Sequence, residues 1–509
     1  MDWRAPEIDD DPERTWTKGW GGPHPRLEQD WLRRYTQSAV ACFDAIAAYT
    51  TNLDATTFVN GYPFDRVPDV PHEELQRRRD AYSARGEAAI DEGTDLWERD
   101  IRPEVEQLHT ALRRRRPRSE ALPGLVAHVE RCIDAAGHIM GDLHWKMAFG
   151  IPGDWSTDYP ALTGKAPNDA ALFLQGLDHA TSRLLKRLRH LARLQRDGDP
   201  AFEDEFAKLL DRFGTRTGRG YGSSSGFRDV TWSIDPSAVR ELIDMYARAD
   251  LDRLDAREAA AKAGRRRAVR KLRRDFERTD VWPKLERAHR AAVARVKAME
   301  NHNHLMEQET EGLLRQAIHR LGTAMVAADV IDDPDDVFHL HIHELHDAAR
   351  HPRDLRPLVA ERVAELEHQR TLEPPAHLGK APDGPAFTPP IAPPIAESAD
   401  GELTGTAASP GVATGRAVVA PDTAGFPDVE PGDILVARDA GPAWTPVFAL
   451  LGGLVLDEGW TIQHAAIVCR ELGIPCVLST RTATTTIAAG SEITVDGDLG
   501  VVRLARLAG

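Results

Sequence analysis

Cysteine is scarce in this chain. There are four in 509 residues, Cys42, Cys132, Cys469 and Cys476, and none form a CxxC pair. So few thiols exclude a disulfide scaffold and predict a reduced, cytoplasmic protein. Long apolar runs are missing too. No window approaches the roughly 18 apolar residues that a bilayer-spanning helix needs. The opening Met1-Asp2-Trp3-Arg4-Ala5-Pro6-Glu7 has no apolar leader core, so no membrane role is expected. Positive charge is in deficit: 64 Lys and Arg stand against 80 Asp and Glu, a net charge of −16. Such a chain has no electrostatic drive toward nucleic acid. The basic runs at Arg113–Arg116 and Arg265–Arg267 lie in helical patterns and read as solvated faces.

What is present is length and periodicity. At 509 residues the chain exceeds one ordinary core, and two to four domains are expected. Apolar residues recur three and four apart from about Trp31 to Glu367, which predicts helices. The clearest stretches are Leu125–Met147, Asp169–Leu194, Ala238–Arg278 and Trp282–Ala327. Strand signals are few here, so residues 1–370 read as one or two all-α domains. Two loops interrupt them, Asn60-Gly61-Tyr62-Pro63 and the Gly-rich run Phe213–Gly226. The second is either a plain connection or a set of backbone amides able to cradle a phosphate. Residues 371–400 hold three Pro-Pro pairs and read as a semi-stiff linker. From 401 to 509 short strands at Ala417–Ala420, Asp433–Ala437, Leu454–Leu456, Cys476–Leu478 and Ile493–Val495 alternate with two short helices. This part reads as a compact α/β domain.

The most informative segment runs from Gly459 to Pro475. His464 opens a short apolar helix that Gly473 stops. A neutral imidazole keeps one free lone pair and can attack phosphorus without a separate base. A helix N-terminus behind it would favour the resulting anion. Arg470 lies nearly two turns further on.

The C-terminal domain resembles the phosphohistidine swivelling domain of enzymes related to phosphoenolpyruvate synthase and pyruvate phosphate dikinase. The resemblance rests on Ser409–Gly415, Gly432–Val436, Pro442–Pro446, His464–Val468 with Arg470–Pro475, and Val495–Gly497 with Gly500. It implies that His464 is the phosphorylated residue; Thr461, Gln463 and Arg470 are candidates for binding phosphate or substrate, with pairing to Glu471 or another carboxylate the alternative for Arg470. The chain departs from the family pattern at Trp460, Ile462 and Gln463. The helical region resembles, more loosely, the substrate-binding domain of rifampicin phosphotransferases and phenylphosphate-synthase-like proteins. The matches there are Asp333–Leu340 with Glu344-Leu345, and Phe213–Arg216 with Trp232. They imply a phosphate- or substrate-binding role for Arg216, with Arg219 close by. The expected architecture is therefore multidomain: a mostly α-helical N-terminal substrate domain and a C-terminal α/β phosphohistidine swivelling domain.

Glu300, His302 and His304 share one predicted helix, and any of the three is a candidate general base for an acceptor hydroxyl. His339, His341 and His343 alternate, which on an extended segment would put them on one face. The following His343-Glu344-Leu345-His346 lacks the HExxH spacing, and no metal is expected. Neither an ATP-grasp module nor a TIM barrel is evident. The resemblance then implies that ATP and Mg²⁺ bind a separate ATP-grasp subunit. That subunit would charge His464, which passes the phosphoryl group to a small phenol, alcohol or enol. The competing reading is a non-catalytic protein that uses the same domain pair to bind a ligand or partner.

Overall fold

The computed structural model describes the chain apart from residues 1–2, 4–7, 9–13, 20–21, 47–54, 68–72, 75, 78–79, 82–85, 115–120, 151–154, 218–225, 381–401, 421–425, 460–463 and 505–509. It divides into two compact units. One takes residues 1–151, 223–228 and 305–388; the other takes 152–222, 229–304 and 389–509. The units cut across the division expected from sequence. Helices of the 1–370 region fall in both, and one group of them belongs with the C-terminal domain.

The first unit is built on the helices Arg26–Ile46, Leu122–His138 and Thr310–Ala327. Their apolar faces meet in a core containing Leu27, Trp31, Leu125, Val129, Leu314, Ile318 and Phe338. It is not all-α. Strands β1 (Thr15–Lys18), β2 (Ala55–Val59), β3 (Tyr62–Val67) and β4 (His377–Gly379) form an antiparallel sheet in the order β2-β3-β1-β4. The Asn60-Gly61 segment is its hairpin turn, with φ of 50° and 74°. Two successive positive φ values match the twist of flanking strands, which is why Asn-Gly is favoured there. β4 lies inside the expected linker, so the chain is still part of the first unit well past residue 370. The three alternating histidines are not extended. His339 ends a 3₁₀ turn, and His341 precedes the helix Ile342–Arg350 that contains His343.

The second unit opens with Trp155–Thr163, then Ala180–Asp197, Phe202–Phe213, Ser237–Arg248, Leu251–Phe276 and Trp282–His302. The helix expected over 238–278 is broken because Asp250 caps a new start, its carboxylate accepting from the Arg253 amide at 2.9 Å. The helix expected over 169–194 is likewise two pieces, a 3₁₀ turn at Pro167–Phe173 and the helix from Ala180.

The C-terminal strands are β5 (Glu402–Thr404), β6 (Thr406–Ser409), β7 (Val412–Ala420), β8 (Ile434–Ala437), β9 (Gly453–Leu456), β10 (Cys476–Leu478), β11 (Glu492–Asp496) and β12 (Val501–Leu504). They form one mixed sheet, ordered β5-β12-β11-β7-β8-β9-β10-β6. β7 to β10 pair in parallel. All four residues of β8 and of β9 are buried, as strands covered on both faces must be. One face packs with Ala483, Ile487, Ile493 and Val495. The other shares a continuous core with the helices of this unit: Leu188, Leu242, Met245 and Tyr246 join Trp444, Phe448, Leu454 and Val468. Tyr246 seals the junction by donating its buried hydroxyl to the Pro446 carbonyl at 2.7 Å.

Candidate functional site

The helix His464–Leu472 buries Ala465, Ala466, Val468 and Cys469. Gly473, at φ +64°, ends it in the left-handed conformation that glycine adopts without a Cβ clash. Arg470 does not reach the histidine end. Its guanidinium donates to the Ala408 carbonyl of β6 at 2.8 Å and so holds the helix to the sheet edge.

His464 sits at the start of this helix, 11% exposed. Its Nε2 lies 2.6 Å from the Thr445 hydroxyl. Its Nδ1 lies 2.6 Å from Nδ2 of Asn303 and 3.3 Å from the Glu300 carboxylate. Asn303 also aims Nδ2 at Glu300, at 3.4 Å, and sets its Oδ1 3.1 Å from Nδ1 of His302. Asn303 and Glu300 thus face one ring nitrogen and Thr445 the other, so both ring nitrogens are held by partners.

Glu300 is fully buried. Thr181 donates to its second oxygen at 2.7 Å, and Nδ1 of His179 stands 3.8 Å away. Burial pushes this carboxyl up, but the charge and hydrogen bond of His464, then His179 and Thr181, outweigh it and hold Glu300 below the usual carboxylate range. His179 in turn meets Glu471, on the His464 helix, at 2.9 Å. His464, Glu300, His179 and Glu471 therefore form a buried line of alternating acid and base. Ligand atoms of His179, Glu300 and Glu471 lie within 4.8 Å of one another, close enough for a cation. Thr181 already donates to one of these carboxylates and His179 pairs with the other.

The other residues singled out from sequence are dispersed. His302 supports Asn303, and His304 packs its ring on Phe213 with centroids 5.1 Å apart. Arg216 is buried with its guanidinium 5.8 Å from the Trp232 ring centre. Arg219, Thr461 and Gln463 lie outside the described residues, as do Trp460 and Ile462. Sequence reading passed over Asn303, Thr445, His179, Thr181 and Glu471. Asn303 lies between two named candidates, and Thr445 lies in a segment already matched to the family, so those two carried a signal.

Residues 429–500, a stretch that includes His464, match the family described as PEP-utilising enzyme, mobile domain. Relatives extend the likeness upstream. The chain is 33% identical to a rifampicin phosphotransferase of Streptomyces sp over 321 residues, 60% of this chain and 35% of that protein. It is 30% identical to the uncharacterized phosphotransferase YvkC of Bacillus subtilis over 236 residues, 45% of this chain and 27% of that one. A 121-residue stretch is 42% identical to the prodigiosin synthesizing transferase PigC of Serratia marcescens, covering 24% and 14% of the two chains. In each case the match spans about a third or less of the relative's own length. No helix among the described residues is long and apolar enough to cross a membrane.

Proposed function

We propose that this protein is a phosphotransferase component in which His464 carries a phosphoryl group to a small hydroxylated organic acceptor. One observation supports this above others: the carrier candidate and a base candidate, 164 residues apart in sequence, meet at 3.3 Å in a buried site. In this reading the group is loaded on the imidazole by an ATP-grasp subunit that binds ATP and Mg²⁺. Transfer follows beside Glu300. The acceptor oxygen attacks phosphorus, the P–N bond breaks, and its electron pair returns to the ring nitrogen. The acceptor proton passes to the Glu300 carboxylate. Glu300 is held acidic partly by the His464 charge. A phosphoryl adduct replaces that charge with a negative one, so the carboxylate becomes a better base when it is needed.

Intact mass is the direct test. The chain incubated with ATP, Mg²⁺ and its ATP-grasp partner should gain one phosphoryl group, and His464→Ala should gain none. A full gain in that variant, or no gain in the wild type, ends the proposal.

A further inference from the structure

His179 plays no part in the chemistry above, yet it is buried and touches both carboxylates that flank the histidine helix. Glu471 lies seven residues, about two turns, below His464 on that helix. Glu300 and His179 come from the helical part of the same unit. We propose that His179 is a positioning residue: as one protonated imidazole it bridges Glu471 and Glu300, and so fastens the helix that bears His464 against the helices that would serve the acceptor. The inference rests on the phosphotransfer reading only for the role of Glu300; the clamp itself is independent of it.

Three observations carry the argument. The Nε2–Glu471 contact is a direct ion pair at 2.9 Å. The second oxygen of Glu471 is buried without a hydrogen-bond partner, and the His179 ring also faces the Ser182 amide in the capping box of its own helix. The Arg257 guanidinium, on the helix Leu251–Phe276, donates to the Gly473 carbonyl at 3.1 Å and holds the far end of the same short helix. The clamp acts alongside this tie and the contacts of Asn303 and Glu300 with His464 at the near end of the helix. Burial pushes the His179 imidazole down, but Glu471 and then Glu300 outweigh it and lift it to about 8, with Arg183 opposing. Glu471 is pushed up by burial, against His179 and His464. Both shifts run upward, so the pair keeps one proton through neutral pH. Arg265 also faces Glu471, and it stays charged throughout. A raised imidazole contributes fully below its ordinary 6.5, and its contribution is lost as pH rises through about 8. That rise corresponds to a roughly thirtyfold change in the fastening equilibrium.

Hydrogen exchange of the full chain from pH 6 to pH 9, corrected for intrinsic rates, reads the clamp without any donor or acceptor. Amides of residues 464–472 should lose protection through a step near pH 8, up to about thirtyfold. His179→Gln, which keeps a donor but no charge, should abolish the step; so should Glu471→Gln, which serves if the first variant folds poorly. A wild-type profile without the step, or a step that survives both variants, overturns the inference. Phosphoryl gain by mass in the same variants is a separate readout: its absence in the wild type would fail the phosphotransfer reading while leaving the clamp standing.

Discussion

Glu300→Gln isolates charge from shape. Glutamine keeps an oxygen for Thr181 and an amide for the ring, so packing is preserved around a residue with no exposure. What is lost is the anion facing His464 at 3.3 Å and its capacity to take a proton. General-base catalysis supplies about 10² to 10⁴ in rate, so the transfer step should fall by that factor. Loading of His464 by the partner should fall less than transfer does, because loading takes no proton from an acceptor hydroxyl. Folding should weaken by about 1–2 kcal/mol, the value of a charge-assisted hydrogen bond replaced by a neutral one. The assay is rapid-quench mixing of chain already phosphorylated on His464 with a panel of phenols and alcohols, following loss of the phosphoryl mass. Transfer at the wild-type rate in Glu300→Gln would refute the assignment of base. Equal losses in loading and transfer would point instead to a general distortion of the site.

Two further outcomes concern the first unit. Gly322→Ala should destabilise it by about 2–3 kcal/mol in chemical denaturation, because the added Cβ would land on the Pro334 carbonyl and backbone cannot give way as a side chain can; a variant within 0.5 kcal/mol of wild type would contradict the packing there. Burial pushes the Glu309 carboxyl up, but the His109 ring 3.6 Å away and the Arg113 guanidinium outweigh it and hold it at about 2. Its stabilisation, at most about 3 kcal/mol, is present above the usual 4.5 and lost as pH falls toward 2; Glu309→Gln should flatten that part of the acid-unfolding curve, and an unchanged curve would rule the pair out.

Local features were legible and long-range ones were not. The histidine helix, its stop at Gly473 and the strands β7 to β11 each carry their own signal: a glycine able to take φ +64°, or a short β-branched run between turn residues. The Asn60-Gly61 hairpin was visible in principle. It read as a loop because Pro63 follows, although β3 tolerates proline opposite Phe58 near its start. The break at Asp250 was hidden by a helical period that continues across it, where a single cap decides the matter. At the site, Glu300 and His464 were named from sequence for unrelated reasons. Nothing in either segment says that they touch. His179 and Thr181 were out of reach, since their meaning comes only from carboxylates more than a hundred residues away.

The continuous apolar seam joining Leu188, Leu242 and Tyr246 to Trp444 and Phe448 has a practical corollary for anyone dissecting this chain. A fragment beginning at residue 401 would present the raw half of that seam to water, and large uncovered apolar patches drive self-association. A soluble piece retaining His464 must therefore keep the covering helices, and because residues 305–388 between them belong to the first unit, a single N-terminal cut does not give one.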